Sequence, residues 1–292
     1  MNRILVTGSL GQLGRCLQDI KSQYSDFEYK FVDVDELDIC NLEQIQRLFE
    51  DYKPDFCINT AAYTAVDKAE EDIQKAFNVN ADAVKNLAEF CLEYNTVLIH
   101  ISTDFVFEGN KTVPYKENDF PNPISIYGAS KLEGEKHVQA ILPKHFIIRT
   151  SWLYSPYGNN FVKTMLRLAE TKTVLNVVND QIGTPTNAND LAEVIMQIIC
   201  KEILLDKNSE LTPIYGIYHF SNEGACSWYD FAKKIFSIYK IDINLQPLPT
   251  SGYPTLAKRP FYSVLDKSKI KTVFGIKIKD WEQTLTSILT DR

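Results

Sequence analysis

The chain has 292 residues, 45% hydrophobic and 24% charged, which is the composition of a globular protein of about two domains. A formal net charge of −7 without a basic tract argues against a binder of nucleic-acid backbones. No apolar run approaches the roughly 18 residues that span a bilayer, so no membrane association is expected.

The first half alternates strand and helix. Residues 4–6 are a short apolar run ending in Thr7-Gly8, and a helical pattern follows over 11–22. Residues 29–33 predict a second strand. Asn41 is placed to cap a helix that runs to Tyr52, with Leu42, Ile45, Leu48 and Phe49 on one face. Pro54 ends that helix, and 56–59 predict a third strand. One long helix is expected over 72–93, a fourth strand over 97–101, a helix over 131–140 and a fifth strand over 145–149.

Beyond Arg149 the pattern loosens. It predicts a loop at 155–160, a helix at 161–170, a strand at 174–178, and a helix capped by Asn189 that runs to about Cys200. A strand at 216–220 and a helix at 228–238 follow. Short continuous apolar strands alternating with helices imply an α/β fold, a doubly wound parallel sheet of Rossmann type. Residues 1–150 are read as a dinucleotide-binding domain, to which the chain returns over 186–217. Residues 151–292 are read as mainly a smaller substrate-binding region.

The six cysteines are scattered without a C-x-x-C pair, and the four histidines lie far apart. Buried reduced thiols of a cytoplasmic protein are expected, not a disulfide frame or a metal site. The first residues carry too short an apolar stretch for a secretory signal.

Ligands of doubly wound sheets bind at the carboxyl ends of the strands. Gly8, Gly11 and Gly14, spaced G-x-x-G-x-x-G, follow the first strand and open a helix. Glycines there allow a tight turn and close approach to a pyrophosphate, which the helix N-terminus favours. The plain alternative is a flexible βα turn. Asp33 ends the second strand, where a carboxylate can bind an adenosine ribose and repel a 2′-phosphate, or can simply be solvated.

Tyr127 and Lys131 stand at i, i+4, and so share a face if both are helical. An ammonium beside the phenol would lower its pKa from about 10, preparing it for proton exchange with a carbonyl. Chance alone produces such pairs in a chain with 15 Tyr. Thr103, near the end of the fourth strand, supplies a hydroxyl that can hold the same carbonyl oxygen. Glycine loop, strand-end hydroxyl and Y-x-x-x-K in that order are jointly far more specific than any one of them.

With these features the chain resembles the extended short-chain dehydrogenase/reductases, and within them the dTDP-4-dehydrorhamnose reductase family. The match includes the segments Ala61-Ala62-Tyr63-Thr64-Ala65-Val66-Asp67-Lys68-Ala69-Glu70, Ser102-Thr103-Asp104-Phe105-Val106-Phe107, Asp180-Gln181-Ile182-Gly183-Thr184-Pro185-Thr186 and Arg259-Pro260-Phe261-Tyr262-Ser263. The resemblance implies that Tyr127 is the proton donor, Lys131 its partner and Thr103 the assisting hydroxyl. It implies that Gly8, Gly11, Gln12, Leu13 and Gly14 form the pyrophosphate loop. It places Asp33, Asp38 and Ile39 at the adenosine, and Ala61, Ala62 and Tyr63 along the cofactor with Tyr127 and Lys131. Thr103, Asp104 and Trp152 match sugar contacts. Arg259 could pair with the substrate's pyrophosphate or form a surface ion pair. Trp228 and its aromatic neighbours read as core packing.

The activity implied is reduction of dTDP-4-dehydro-L-rhamnose to dTDP-L-rhamnose by hydride from NADPH or NADH. Some relatives have a magnesium-dependent dimer contact, which makes Mg2+ and a homodimer further expectations. Two alternatives remain at this point. One is an epimerase or reductase of the same fold acting on another nucleotide sugar. The other is a non-catalytic binding subunit resembling the regulatory subunit of methionine adenosyltransferase.

Overall fold

The structure is a computed structural model, and it describes residues 1–208 and 214–290. Six strands form one wholly parallel sheet: β1 (Asn2–Thr7), β2 (Phe27–Phe31), β3 (Phe56–Asn59), β4 (Val97–Thr103), β5 (His145–Thr150) and β6 (Gly216–His219). Their order across the sheet is β6-β5-β4-β3-β1-β2. The helices used below are α1 (Gln12–Ile20), α2 (Leu42–Tyr52), α3 (Ala83–Glu93), α4 (Ile126–Ile141), α5 (Phe161–Ala169), α6 (Ala188–Asn208) and α7 (Trp228–Tyr239).

Strand residues alternate between two covered faces, which is why the inner strands are continuously apolar. Ile4, Val6, Ile58, Ile99 and Ile148 pack under Leu13 and Leu17 of α1 and Leu191, Ile195 and Ile199 of α6. Leu5, Cys57, Leu98 and Ile147 pack under Ile45 and Phe49 of α2, Val84 and Leu87 of α3 and Val138 of α4. Each such buried side chain contributes roughly 1.5–3 kcal/mol. The chain runs outward from β1 to β2, then returns to β3 on the other side of β1. That reversal opens a crevice above the carboxyl ends of β1 and β3, the binding position of doubly wound sheets.

A separate apolar cluster joins α5, α7, the strand pair Val174–Val178 and Asn244–Leu248, and the helix Trp281–Thr290. Ser227 and Asp230 close a capping box on α7. After Asn187 the chain rejoins the sheet layers, α6 packing on α1 and β6 extending the edge beyond β5.

Several expectations shift. The helix expected over 72–93 is interrupted by a π-helical turn at Asn78–Asp82. The helix expected from Lys131 begins at Ile126, because Ser125 accepts the Gly128 N–H and caps it. Asn187, not Asn189, caps α6: its side chain accepts the Asn189 N–H, and the helix extends past Cys200 to Asn208. The strand Asn244–Leu248 and the helices Ser268–Phe274 and Trp281–Thr290 were not expected. Cys40 is exposed rather than buried, and Cys200 is half-buried. No helix among the described residues is long and apolar enough to cross a membrane.

Candidate active site

The glycine loop crosses the top of β1. Gly8 has φ +64°, and a Cβ there would lie 2.6 Å from the Ala61 backbone nitrogen. A side chain would therefore part the two strand-end loops that floor the crevice. A Cβ at Gly14 would meet the Gly8 carbonyl oxygen at 2.6 Å, so α1 can lie this close to the loop only with glycine. Gly11 caps α1 without any side-chain acceptor, and the first turn holds no acid. The helix therefore presents backbone N–H groups and positive potential to an anion. Leu13 is buried in the core, which leaves only its backbone for a pyrophosphate. Gln12 is turned toward the C-terminal region, where its Oε1 accepts from Ser155 and from Asn160, each at 3.0 Å.

Asp33 sits just past β2, and its carboxylate accepts the Leu10 N–H at 2.7 Å and the Val34 N–H at 2.9 Å. It thus clamps the glycine loop. Asp38 accepts the Cys40 N–H at 2.9 Å, and the Ile39 side chain is buried. Ala61, Ala62 and Tyr63 are half-buried along the loop after β3. The Tyr63 hydroxyl donates to Asp72 at 3.0 Å.

Tyr127 lies in the first turn of α4. Gly128 makes this placement possible, since a Cβ there would meet the Phe105 carbonyl oxygen at 2.2 Å. The Phe105 ring meets the Tyr127 ring edge-on, with centroids 5.7 Å apart. Thr103 ends β4, near enough to the Tyr127 phenol for its hydroxyl to oppose the rise in the phenol pKa. The same hydroxyl donates to Asp104 Oδ1 at 3.1 Å and accepts the Phe105 N–H at 3.2 Å.

The expectation that Lys131 lowers the phenol pKa is not met in the free protein. Burial, together with the Asp104 carboxylate, pushes the Tyr127 phenol up to about 12, with the nearby Thr103 opposing the shift. The lysine is aimed elsewhere: its ammonium donates to the Ile101 carbonyl at 2.7 Å and lies 3.3 Å from His100 Nε2. Burial lowers Lys131 to about 8, although Glu135 one turn further on opposes the shift. Burial likewise raises the Asp104 carboxyl to about 6, and its Oδ2 has no partner among the described residues.

Arg259 forms an ion pair with Asp67, with bonds of 3.0 and 2.7 Å, the second of the two readings left open above. That pair holds the Asp67 carboxyl below its usual range. Trp152 has φ +45° and stacks face to face on Trp228, with centroids 3.5 Å apart and planes 9° from parallel. Gly183 leaves room for the indole, since a Cβ there would touch Trp152 Cε2 at 2.5 Å. Trp228 is therefore half of a stacked pair, half-buried and packed on the apolar cluster that contains Phe231 and Phe236.

Two polar residues escaped the sequence reading. Asn80, in the π-helical turn, accepts the Tyr63 N–H at 2.9 Å, and donates to the Tyr63 carbonyl and the Ser130 hydroxyl, each at 3.0 Å. It ties the loop after β3 to α4. His100 faces Lys131 from β4. Neither belongs to a motif that spacing could expose. Among the described residues no group of three or more His, Cys, Asp or Glu could hold a metal ion.

The RmlD substrate binding domain family matches residues 1–292. A dTDP-4-dehydrorhamnose reductase of Aggregatibacter actinomycetemcomitans is 45% identical, over 99% of this chain and 98% of that protein. The crystal structure of a dTDP-4-dehydrorhamnose reductase from Clostridium acetobutylicum superposes with a TM-score of 0.91 at 42% identity, covering 99% of this chain and 98% of the other. That of Bacillus anthracis dTDP-4-dehydrorhamnose reductase in complex with NADP gives 0.93 at 39% identity, covering both chains in full. On fold, site and sequence together, this chain belongs to the dTDP-4-dehydrorhamnose reductase family.

Proposed function

We propose that the protein reduces the C4 carbonyl of dTDP-4-dehydro-L-rhamnose to give dTDP-L-rhamnose. The observation that carries this reading is the seating of Tyr127, in the first turn of α4, against the end of β4 that bears Thr103, with the glycine loop at the end of β1. NADPH or NADH supplies the hydride when bound. The backbone of Gly8, Gly11, Gln12, Leu13 and Gly14 holds the pyrophosphate. Asp33, Asp38 and Ile39 meet the adenosine end, and Ala61, Ala62 and Tyr63 flank the dinucleotide. Residues 1–150, with the return over 186–217, serve as the dinucleotide-binding unit, and the rest of 151–292 carries most of the sugar contacts.

Tyr127 gives its phenolic proton to the sugar oxygen, and Thr103 holds that oxygen by a hydrogen bond that strengthens as charge develops. A phenol raised to about 12 stays protonated at ordinary pH, the state that reduction requires. Lys131, one turn further along α4, supplies positive charge to the site. Asp104, Trp152 and Trp228 wall the sugar side. Asp67 holds Arg259 at the rim, from which a substrate diphosphate could recruit it.

The test is oxidation of NADPH and of NADH by the purified protein with enzymatically generated dTDP-4-dehydro-L-rhamnose, with and without magnesium. Mass spectrometry should find a product heavier by two hydrogens. Unchanged cofactor absorbance with both dinucleotides would overturn the proposal. The magnesium arm, run alongside light scattering, tests the metal-dependent dimer.

A further inference from the structure

Behind Lys131 a polar row crosses the apolar sheet. Thr7, Asn59 and His100 occupy one rung of β1, β3 and β4, Thr7 paired with Asn59 and Asn59 with His100. All three point to the face that α4 covers. They are essentially sealed from solvent, as is Lys131. Thr7 Oγ1 lies 2.7 Å from Asn59 Oδ1, Asn59 Nδ2 lies 3.1 Å from His100 Nδ1, and His100 Nε2 lies 3.3 Å from Lys131 Nζ. A continuous hydrogen-bonded row thus links the residue before the glycine loop to the Lys131 amine.

The chemistry of the row allows two arrangements of hydrogens. If Thr7 donates to Asn59 Oδ1, the amide N–H points at Nδ1, which must accept. A neutral imidazole then carries its proton on Nε2, where it can be donated only to an uncharged Lys131 amine. If Lys131 is an ammonium, it donates to Nε2. The imidazole proton is then on Nδ1, and the Asn59 amide must be turned so that its oxygen accepts from Nδ1 and its nitrogen donates to Thr7. Heavy-atom positions suit both arrangements. Either one leaves both imidazole nitrogens and the Asn59 group facing them paired, which matters because an unpaired buried polar group costs about 1–3 kcal/mol.

We propose that His100 is a positioning residue for Lys131, a permanently neutral imidazole whose tautomer reverses with the charge on the lysine, Asn59 and Thr7 reversing with it. Lys131 thereby keeps a partner whether or not it holds its extra proton. The row, with the Ile101 carbonyl, keeps the amine fixed in both states. The proposal rests on the reading of Lys131 as the partner of Tyr127. Its primary test does not.

The charged and titratable groups around this point are few. Along α4 they are Tyr127 and Glu135. From β5, Arg149 binds Glu135 at 2.6 Å, and His145 opposes charging of His100. Asp104 follows β4, while β1 and β3 offer only Thr7 and Asn59 to the row. Burial and Lys131 hold the His100 imidazole far below its ordinary range, so the imidazolium does not compete.

The primary test is a pH titration of the wild-type protein labelled with ¹⁵N-histidine, with the His100 signals assigned by their loss in His100→Gln. The expected result is an Nδ1–H tautomer at low pH, replaced by an Nε2–H tautomer with a midpoint near the Lys131 value of about 8. Lys131→Met should abolish the transition. A single tautomer across the range, or an imidazolium signal, would overturn the proposal whether or not the protein reduces any sugar.

The second test is kinetic. Without its acceptor the ammonium is less favoured, so His100→Leu should move the alkaline limb of kcat/KM down by about one pH unit. His100→Gln, which keeps an acceptor, should restore most of it. A limb that stays in place while only thermal stability falls would reduce His100 to a packing residue. If His100→Leu does not fold, the wild-type titration decides alone.

Discussion

Gly128 lies beneath the Phe105 carbonyl, close enough that any side chain at 128 would collide with it. This contact sets the first turn of α4 against the end of β4, and so sets Tyr127 beside Thr103. Gly128→Ala should move the helix away. A loss of about 1–3 kcal/mol in stability, the usual cost of overpacking, is expected in urea denaturation. Turnover should fall further than stability alone explains, because the phenol is displaced.

Tyr127→Phe keeps the ring that packs on Phe105 and removes the proton. Turnover should fall by about 10²- to 10⁴-fold, the usual worth of general acid catalysis, with cofactor affinity unchanged. Single-turnover kinetics and a fluorescence titration with NADPH measure the two quantities. Undiminished turnover would remove Tyr127 from the chemistry.

Asp33 accepts from the glycine loop and carries a charge that would oppose a 2′-phosphate. Asp33→Asn should weaken NADH use by roughly 10- to 150-fold, through loss of a charged hydrogen bond worth about 1.5–3 kcal/mol. NADPH use should suffer less. The ratio of kcat/KM for the two cofactors is the measurement, and an unchanged ratio would refute the assignment.

Trp228→Ala unstacks Trp152. Aromatic pairs contribute about 0.5–1.5 kcal/mol beyond their burial, so KM for the sugar nucleotide should rise by roughly two- to tenfold. KM for NADPH should stay constant. An equal rise in both constants would mean that the stack supports the fold as a whole and not the sugar pocket.

Asp104 is raised from 3.8 to about 6 by burial. Between these values the folded state holds a proton that the unfolded state has released. Stability from this group is therefore complete below about pH 4 and lost as pH rises through about 6. Asp104→Asn should flatten that part of the stability curve, as followed by urea denaturation from pH 4 to 7. The same slope in wild type and variant would mean that Asp104 is not buried as a proton-holding acid.

The sequence was most legible where one periodicity ruled. Every strand of the sheet was anticipated: the inner strands because residues buried on both faces are mostly apolar, the edge strand β2 from a short run that alternates apolar and charged residues. The glycine loop was legible because only glycine tolerates the approach of Ala61 to Gly8. The π-helical turn at Asn78–Asp82 was not, because it keeps the helical apolar spacing while inserting Asn80 between α4 and the loop after β3.

Sequence by itself determined the doubly wound sheet, the carboxyl ends of its strands as the ligand side, and the family to which the chain belongs. These follow from local periodicity and from motifs read along one stretch of chain. Tertiary structure alone decided that Arg259 faces Asp67, that Trp228 stacks on Trp152, and that Lys131 turns inward to His100. Each of those contacts joins residues far apart in the chain, and its partner is chosen by strand register and helix packing, which no local pattern encodes.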